Sequence, residues 1–117
     1  MGGLEQVLLT TTGRRSGEPR TTPLMVTPVG DRLVLIASFG GAPQHPAWYL
    51  NLVDHPDVTI QRGAEVLACR THTATGSERD ELWGAAVAAN PGYAGYQAKT
   101  EREIPVVVAE PVAHAPH

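Results

Sequence analysis

Short runs of apolar and β-branched residues recur along the chain, and the interruptions fall on Gly, Pro, Asn and Asp. Val7-Leu8-Leu9-Thr10-Thr11-Thr12 reads as a first strand. Gly13-Arg14-Arg15-Ser16-Gly17-Glu18-Pro19 is a tight connection bracketed by glycines. A second strand follows from Arg20 to Thr27, ended by Pro28, and Val29-Gly30-Asp31-Arg32 is a hairpin turn whose Gly-Asp pair suits positive φ. Leu33 to Ser38 is apolar nearly throughout, so the third strand is expected to be covered on both faces. After a loop over 39–45, Pro46 opens a short helix with Trp48, Leu52 and, less regularly, Tyr49 on its apolar side. Val58–Gln61 and Glu65–Thr73 form another hairpin around Arg62-Gly63-Ala64. Thr75-Gly76-Ser77-Glu78 has capping-box spacing, and a helix from about Ser77 to Ala89 shares Leu82, Ala85, Ala86 and Ala89 on one face. Asn90-Pro91-Gly92 ends it. A short helical stretch then sets Tyr93 and Tyr96 on one side, Ile104–Ala109 is the last strand, and Pro111–His117 is a frayed tail.

Five or six short strands joined largely by hairpins, with two or three helices, exclude a doubly wound parallel sheet. They predict a mainly β (α+β) fold, a closed or partly open antiparallel barrel with helical insertions. The 117 residues make one domain, 1–117, with its core over about 6–111. A chain of this size buries roughly two-thirds of the surface it exposes when unfolded, enough for one sizeable core. Ordinary apolar content and low charge exclude a disordered chain.

Charge narrows the function. The net charge is −3, and of nine cations all are arginine except Lys99, which argues against a nucleic-acid binder and its basic stripe. The longest apolar run, Leu33–Ala37, is far too short to span a bilayer. Met1–Gln6 lacks the basic and apolar regions of a signal peptide, so a soluble cytoplasmic protein without stable membrane insertion is expected.

The common catalytic motifs are missing. Gly13 to Gly17 has neither P-loop nor Rossmann spacing, there is no G-x-S-x-G elbow, and the five histidines (45, 55, 72, 114, 117) offer no H-E-x-x-H. Cys69 and His72 stand three apart on a strand and so point to opposite faces, and no metal site is expected. What remains is the first turn. Arg14, Arg15 and Arg20 lie within seven residues beside one acid, Glu18, and arginine forks match phosphate or carboxylate oxygens. An anion site and a solvated hairpin tip both fit these residues. Pro23, Leu24, Met25, Ala37, Ser38 and Trp48 fit either a slot for a flat ring or plain core packing. Tyr93 and Tyr96 are phenols able to donate a proton, or else anchors for their segment.

The run Leu8 to Arg20, with Pro23-Leu24, Ala37-Ser38, Gly40-Gly41, Pro46-Ala47-Trp48-Tyr49-Leu50-Asn51-Leu52 and Ile104-Pro105-Val106-Val107-Val108, resembles the deazaflavin-dependent nitroreductase family over about residues 6 to 111. The resemblance implies a split β-barrel of the FMN-binding type and coenzyme F420, a deazaflavin with a phosphodiester and an oligoglutamate tail. It implies that Arg14, Arg15, Ser16, Gly17 and Arg20 hold the phosphate and tail. Pro23, Met25, Ala37, Ser38, Phe39, Ala47, Trp48 and Asn51 would surround the ring. Tyr93 and Tyr96 would face the substrate, with Tyr93 also touching the ring, and Ser38 would hydrogen-bond an acceptor oxygen or the ring. The implied activity is hydride transfer from reduced F420 to a small-molecule electron acceptor, a quinone, enone or nitro compound. A non-catalytic F420 carrier is the alternative, and an FMN-binding barrel a weaker one; a monomer or a homodimer fits equally.

The chain departs from that family at several positions. Arg15 stands where Lys is common, and Met25, Phe39 and Asn90 where nitroreductase-active members often carry Tyr, a cation and Tyr. Two missing phenols argue against bulky nitroaromatic acceptors. With about six residues ahead of the first strand, where many members have an amphipathic extension, a more open pocket is expected.

Overall fold

Strand β1, Glu5–Thr12, alternates so that Val7, Leu9 and Thr11 are buried. That period-two pattern commits one face to a barrel interior. The structure, a computed structural model, describes residues 4–112. The expectations for the extreme N-terminus and for the tail beyond Val112, with His114 and His117, lie outside those residues.

β1 pairs antiparallel with β2 (Pro19–Val29), which sets Val7 beside Leu24 and Leu9 beside Thr22. β3 (Arg32–Ile36), β4 (Asp57–Arg62), β5 (Glu65–Thr73) and β6 (Val106–Pro111) complete a closed barrel in the order β1-β2-β3-β6-β5-β4, every neighbouring pair antiparallel. The split-barrel expectation is met. Inside lie Val7, Leu9, Val26, Leu33, Leu35, Val58, Ile60, Cys69 and Val107, joined by Leu52 from helix α1 (Ala47–Asp54). Each such large apolar side chain contributes roughly 1.5–3 kcal/mol on burial.

A second apolar layer explains why β3 lacks a polar face. Val34 and Ile36 point outward with Val106 and Val108 of β6, under Leu82 and Ala86 of helix α2 (Gly76–Ala89) and Tyr93 of helix α3 (Gly92–Ala98). Ala86 is one of the helix positions predicted to face inward, as is Leu82.

Several boundaries differ from the sequence reading. β2 runs through Pro28, which sits opposite Leu33. The β1 pairing stops at Val26, so Pro28 has a strand on one side only, and its missing N–H costs no ladder bond. In the following turn Gly30 alone takes a positive φ, and Asp31 does not. β3 stops at Ile36 because the carbonyls of Ala37 and Ser38 bond to Arg102 instead of a strand partner. Thr75 does cap α2, but without a side-chain bond, and Glu78 turns to His72 and Arg32 rather than back to the cap. Pro111, assigned to the tail, belongs to β6.

Candidate functional site

At one end of the barrel the β1–β2 turn, the Phe39–Gly41 3-10 turn and the start of α1 enclose a cleft of about 620 Å³. That volume suits a small molecule or cofactor. Its lining divides by chemistry: Arg14, Arg15, Ser16, Arg20, Thr21 and Thr22 along one side, Phe39, Pro46, Ala47 and Trp48 along the other, with Thr11, Gly13 and Asn51 between.

The polar side is built by a closed turn. Gly13 N–H donates to the Glu18 carbonyl at 2.8 Å and Gly17 N–H to the Gly13 carbonyl at 2.9 Å. Gly17 takes φ +72°, a conformation other residues rarely adopt. A Cβ on Gly13 would stand 2.6 Å from Ser16 Oγ and 3.2 Å from the Glu18 carbonyl oxygen, so the turn needs glycine there as well. Asn51, buried in α1, docks the turn: its Oδ1 accepts from Arg14 N–H at 3.1 Å, and its Nδ2 donates to Thr11 Oγ1 at 3.3 Å.

The charges of this turn stand without carboxylate partners among the described residues. Among the described residues Arg32, Arg62, Arg70 and Arg79 each have a carboxylate within 4.0 Å, and Arg102 is taken up by carbonyl oxygens and an imidazole. Arg14, Arg15 and Arg20 have no such partner among those residues and are exposed on the same cleft. Three guanidinium groups without a carboxylate partner among the described residues concentrate positive charge on one rim of a net acidic protein.

The apolar side has an unusual backbone. Phe39 adopts φ +47°, the one non-glycine positive φ among the described residues, and its side chain is 54% exposed. Such a conformation costs on the order of 1–2 kcal/mol. Phe39 is therefore held at the cleft by its surroundings, not by its own preference. Trp48 stands on the first turn of α1, edge-on to Tyr49 at 6.5 Å, and Tyr49 is tied to β5 through Thr73 Oγ1 at 3.1 Å. The wall that carries Trp48 is thereby fixed to the barrel.

Of the residues singled out from sequence, Arg14, Arg15, Ser16, Arg20, Phe39, Ala47, Trp48 and Asn51 come together on this cleft. Gly17 shapes the turn without lining it. Pro23 and Met25 lie on the outward face of β2, Met25 41% exposed, because Leu24 and Val26 take the inward positions. Ala37 and Ser38 are buried behind the Phe39 turn and do not line the cleft. Nor do the two phenols. Tyr93 is 7% exposed within the outer apolar layer, and burial pushes its phenol up against a lowering hydrogen bond from Asn90, with Tyr96 adding a small rise. Tyr96 packs beside it, ring centroids 6.4 Å apart, and its carbonyl backs onto Gly41. Thr11, Thr21, Thr22 and Pro46 line the cleft without having been singled out. The two threonines of β2 carried a usable signal, since they follow Arg20 directly on the same strand. No group of three or more His, Cys, Asp or Glu side chains able to hold a metal is present among the described residues.

Comparison with known proteins shows the family and the fold. Residues 1–111 match the family described as F420H(2)-dependent quinone reductase. An F420H(2)-dependent quinone reductase of Mycobacterium tuberculosis is 38% identical over 110 residues, covering 92% of this chain and 74% of that protein. A solved structure described as an F420-H2 dependent reductase superposes with a TM-score of 0.83 at 44% identity, covering 90% of this chain and 93% of that one. Another, described as a domain-swapped dimer, gives 0.84 at 44% identity, with 90% and 79% covered. With a family match spanning nearly the whole sequence and a barrel of the same shape, the chain belongs to the F420H(2)-dependent quinone reductase family.

Proposed function

We propose that the cleft seats coenzyme F420 with its acidic tail along Arg14, Arg15, Ser16 and Arg20 and its ring against Phe39, Ala47 and Trp48, and that quinones are the acceptors this chain reduces. Its family makes it an F420H2-dependent reductase. The observation that carries the seating is the pairing, in one cleft, of three arginines lacking carboxylate partners among the described residues with an apolar wall bearing Trp48 and Phe39. A polyanionic tail and a planar ring need those two surfaces side by side.

When bound, the reduced deazaflavin supplies a hydride to the acceptor; the protein binds, orients and shields. Arginine forks take phosphate and carboxylate oxygens in pairs and so set the position of the tail as well as its affinity. Asn51 fixes the Arg14 backbone to α1, so the anion rim and the Trp48 wall move as one unit. The lining holds no carboxylic acid, imidazole or phenol, so the proton that completes reduction of a quinone comes from solvent at the open cleft. Tyr93 and Ser38 are buried outside that lining.

Titrating the protein with F420 and, separately, with FMN, followed by fluorescence, tests the seating, and oxidation of reduced F420 with menadione tests the acceptor. Tight F420 binding with menadione turnover is expected; preference for FMN overturns the seating, and binding without quinone turnover overturns the acceptor. Arg14→Ala combined with Arg15→Ala should raise the F420 dissociation constant about tenfold or more at low salt, a difference that shrinks as salt screens the rim. Unchanged affinity in that variant places the tail elsewhere. The solved relative described as a domain-swapped dimer supports a homodimer over a monomer. Sedimentation at about twice 12.4 kDa is the corresponding outcome.

A further inference from the structure

Arg102 lies in the loop between α3 and β6, and its guanidinium reaches across to the segment that joins β3 to α1. Nε donates to the Ala42 carbonyl at 2.9 Å, Nη2 to the Ser38 carbonyl at 2.8 Å, and Nη1 to the Ala37 carbonyl at 3.2 Å. Nη1 also meets His45 Nδ1 at 3.1 Å. Guanidinium has donors only, so Nδ1 is the acceptor and must carry no proton. No carboxylate of the described residues lies within 4.0 Å of Arg102, so among them its charge is answered by three carbonyls and an imidazole.

Those four acceptors bracket the turn that carries Phe39, the one non-glycine positive φ among the described residues. Between Ser38 and Ala42, Phe39, Gly40 and Gly41 all take positive φ, +47°, +64° and +83°. Phe39 is one wall of the cleft, and the residues directly after His45, namely Pro46, Ala47 and Trp48, are the next. One side chain that touches neither the anion rim nor the cleft lining thus holds both ends of its apolar wall.

We propose that Arg102 is a positioning residue for the cleft, its guanidinium holding the Phe39 turn and the start of α1 at the spacing a planar ring requires, and that protonation of His45 releases this hold. The role in ring binding rests on the F420 reading given above; the hold on the loop does not. A protonated His45 would turn from acceptor to donor and set a second cation against Nη1. Burial and, secondarily, the Arg102 charge hold the imidazole below its ordinary value of 6.5. The remaining groups around the segment do not offset this. Tyr49 of α1 packs tilted against His45 at 5.0 Å between ring centroids, Lys99 of the α3 end places its ammonium over the Tyr96 ring, Glu103 pairs with Arg79, and Glu101 is exposed. The sign follows: with the folded value depressed, the hold is complete above about pH 6.5 and is lost as pH falls through the lowered value.

Three variants and two measurements test the proposal on the intact chain. Arg102→Gln should raise the F420 dissociation constant about tenfold at pH 7.5. Arg102→Lys, which keeps the charge but cannot span three carbonyls and an imidazole, should recover only part of that loss. Wild type should lose F420 affinity as pH falls below 6.5, and His45→Gln, whose amide oxygen still accepts from Nη1, should bind with a flat profile over the same fall. Without any ligand, amide hydrogen exchange of residues 38–50 should quicken at least tenfold in Arg102→Gln while strand amides of the barrel keep their protection. Unchanged affinity in Arg102→Gln, full recovery by Arg102→Lys, or an unaltered pH profile in His45→Gln overturns the proposal. Should wild type bind no F420, the cofactor reading fails, and the exchange measurement still decides the hold: unchanged protection over 38–50 refutes it.

Discussion

Asn51 shows how much of the site turns on one side chain. It is buried, and it spends its amide on two partners remote in sequence, the Arg14 backbone N–H and Thr11 Oγ1. Asn51→Ala leaves a buried hydroxyl and the turn's N–H without those partners. The expected cost is about 1–3 kcal/mol in urea unfolding, together with weaker F420 binding because the arginine turn loses its tether to α1. Full stability with full affinity would mean that the tether is idle. From sequence, Asn51 stood out through its place in Pro46-Ala47-Trp48-Tyr49-Leu50-Asn51-Leu52, with a role around the ring. Its role as the tether of the turn was not legible, because both partners lie more than thirty-five residues away. Arg102 and His45 were invisible for the same reason: nothing local distinguishes an arginine that will find four acceptors across the fold.

At the scale of elements, the twofold covering of β3 was legible and its agent was not. An apolar run such as Leu33-Val34-Leu35-Ile36 states that both faces are buried. Only the packing shows that Leu33 and Leu35 enter the barrel while Val34 and Ile36 lie under α2 and α3. Leu82, 1% exposed, is the main apolar contact that α2 makes with this outer layer. Leu82→Ala is expected to cost about 2–5 kcal/mol, read by denaturant unfolding. F420 affinity in native conditions should hold, since neither Leu82 nor its neighbours line the cleft. The same packing moved Tyr93 away from the chemistry assigned to it. A tyrosine three residues from another on a short helix says which side the two share, not whether that side meets a cleft or a core.

Taken whole, the molecule is a closed barrel with one thiol inside it. Cys69 is 1% exposed, and burial pushes its thiol up, which leaves little thiolate for reaction. Labelling by a thiol reagent should therefore be slow in the native protein and should accelerate with the urea transition seen by Trp fluorescence. Fast labelling well below that transition would show the barrel opening locally at β5. Among the described residues Arg32, Arg62, Arg70 and Arg79 stand beside carboxylates, whereas the arginines at residues 14, 15 and 20 do not.

The sequence by itself determined the existence of the strands and their antiparallel barrel, because period-two alternation and glycine-proline punctuation are local properties that survive without tertiary context. It also set three arginines close together, since one glycine-bracketed turn holds them, with an anion site and a solvated tip both fitting the residues. The tertiary structure decided which apolar residues face the cleft and which face the core. Outward Met25, buried Tyr93 and the exposed, strained Phe39 come from strand facing and long-range hydrogen bonds, and such bonds leave no periodic trace along a chain.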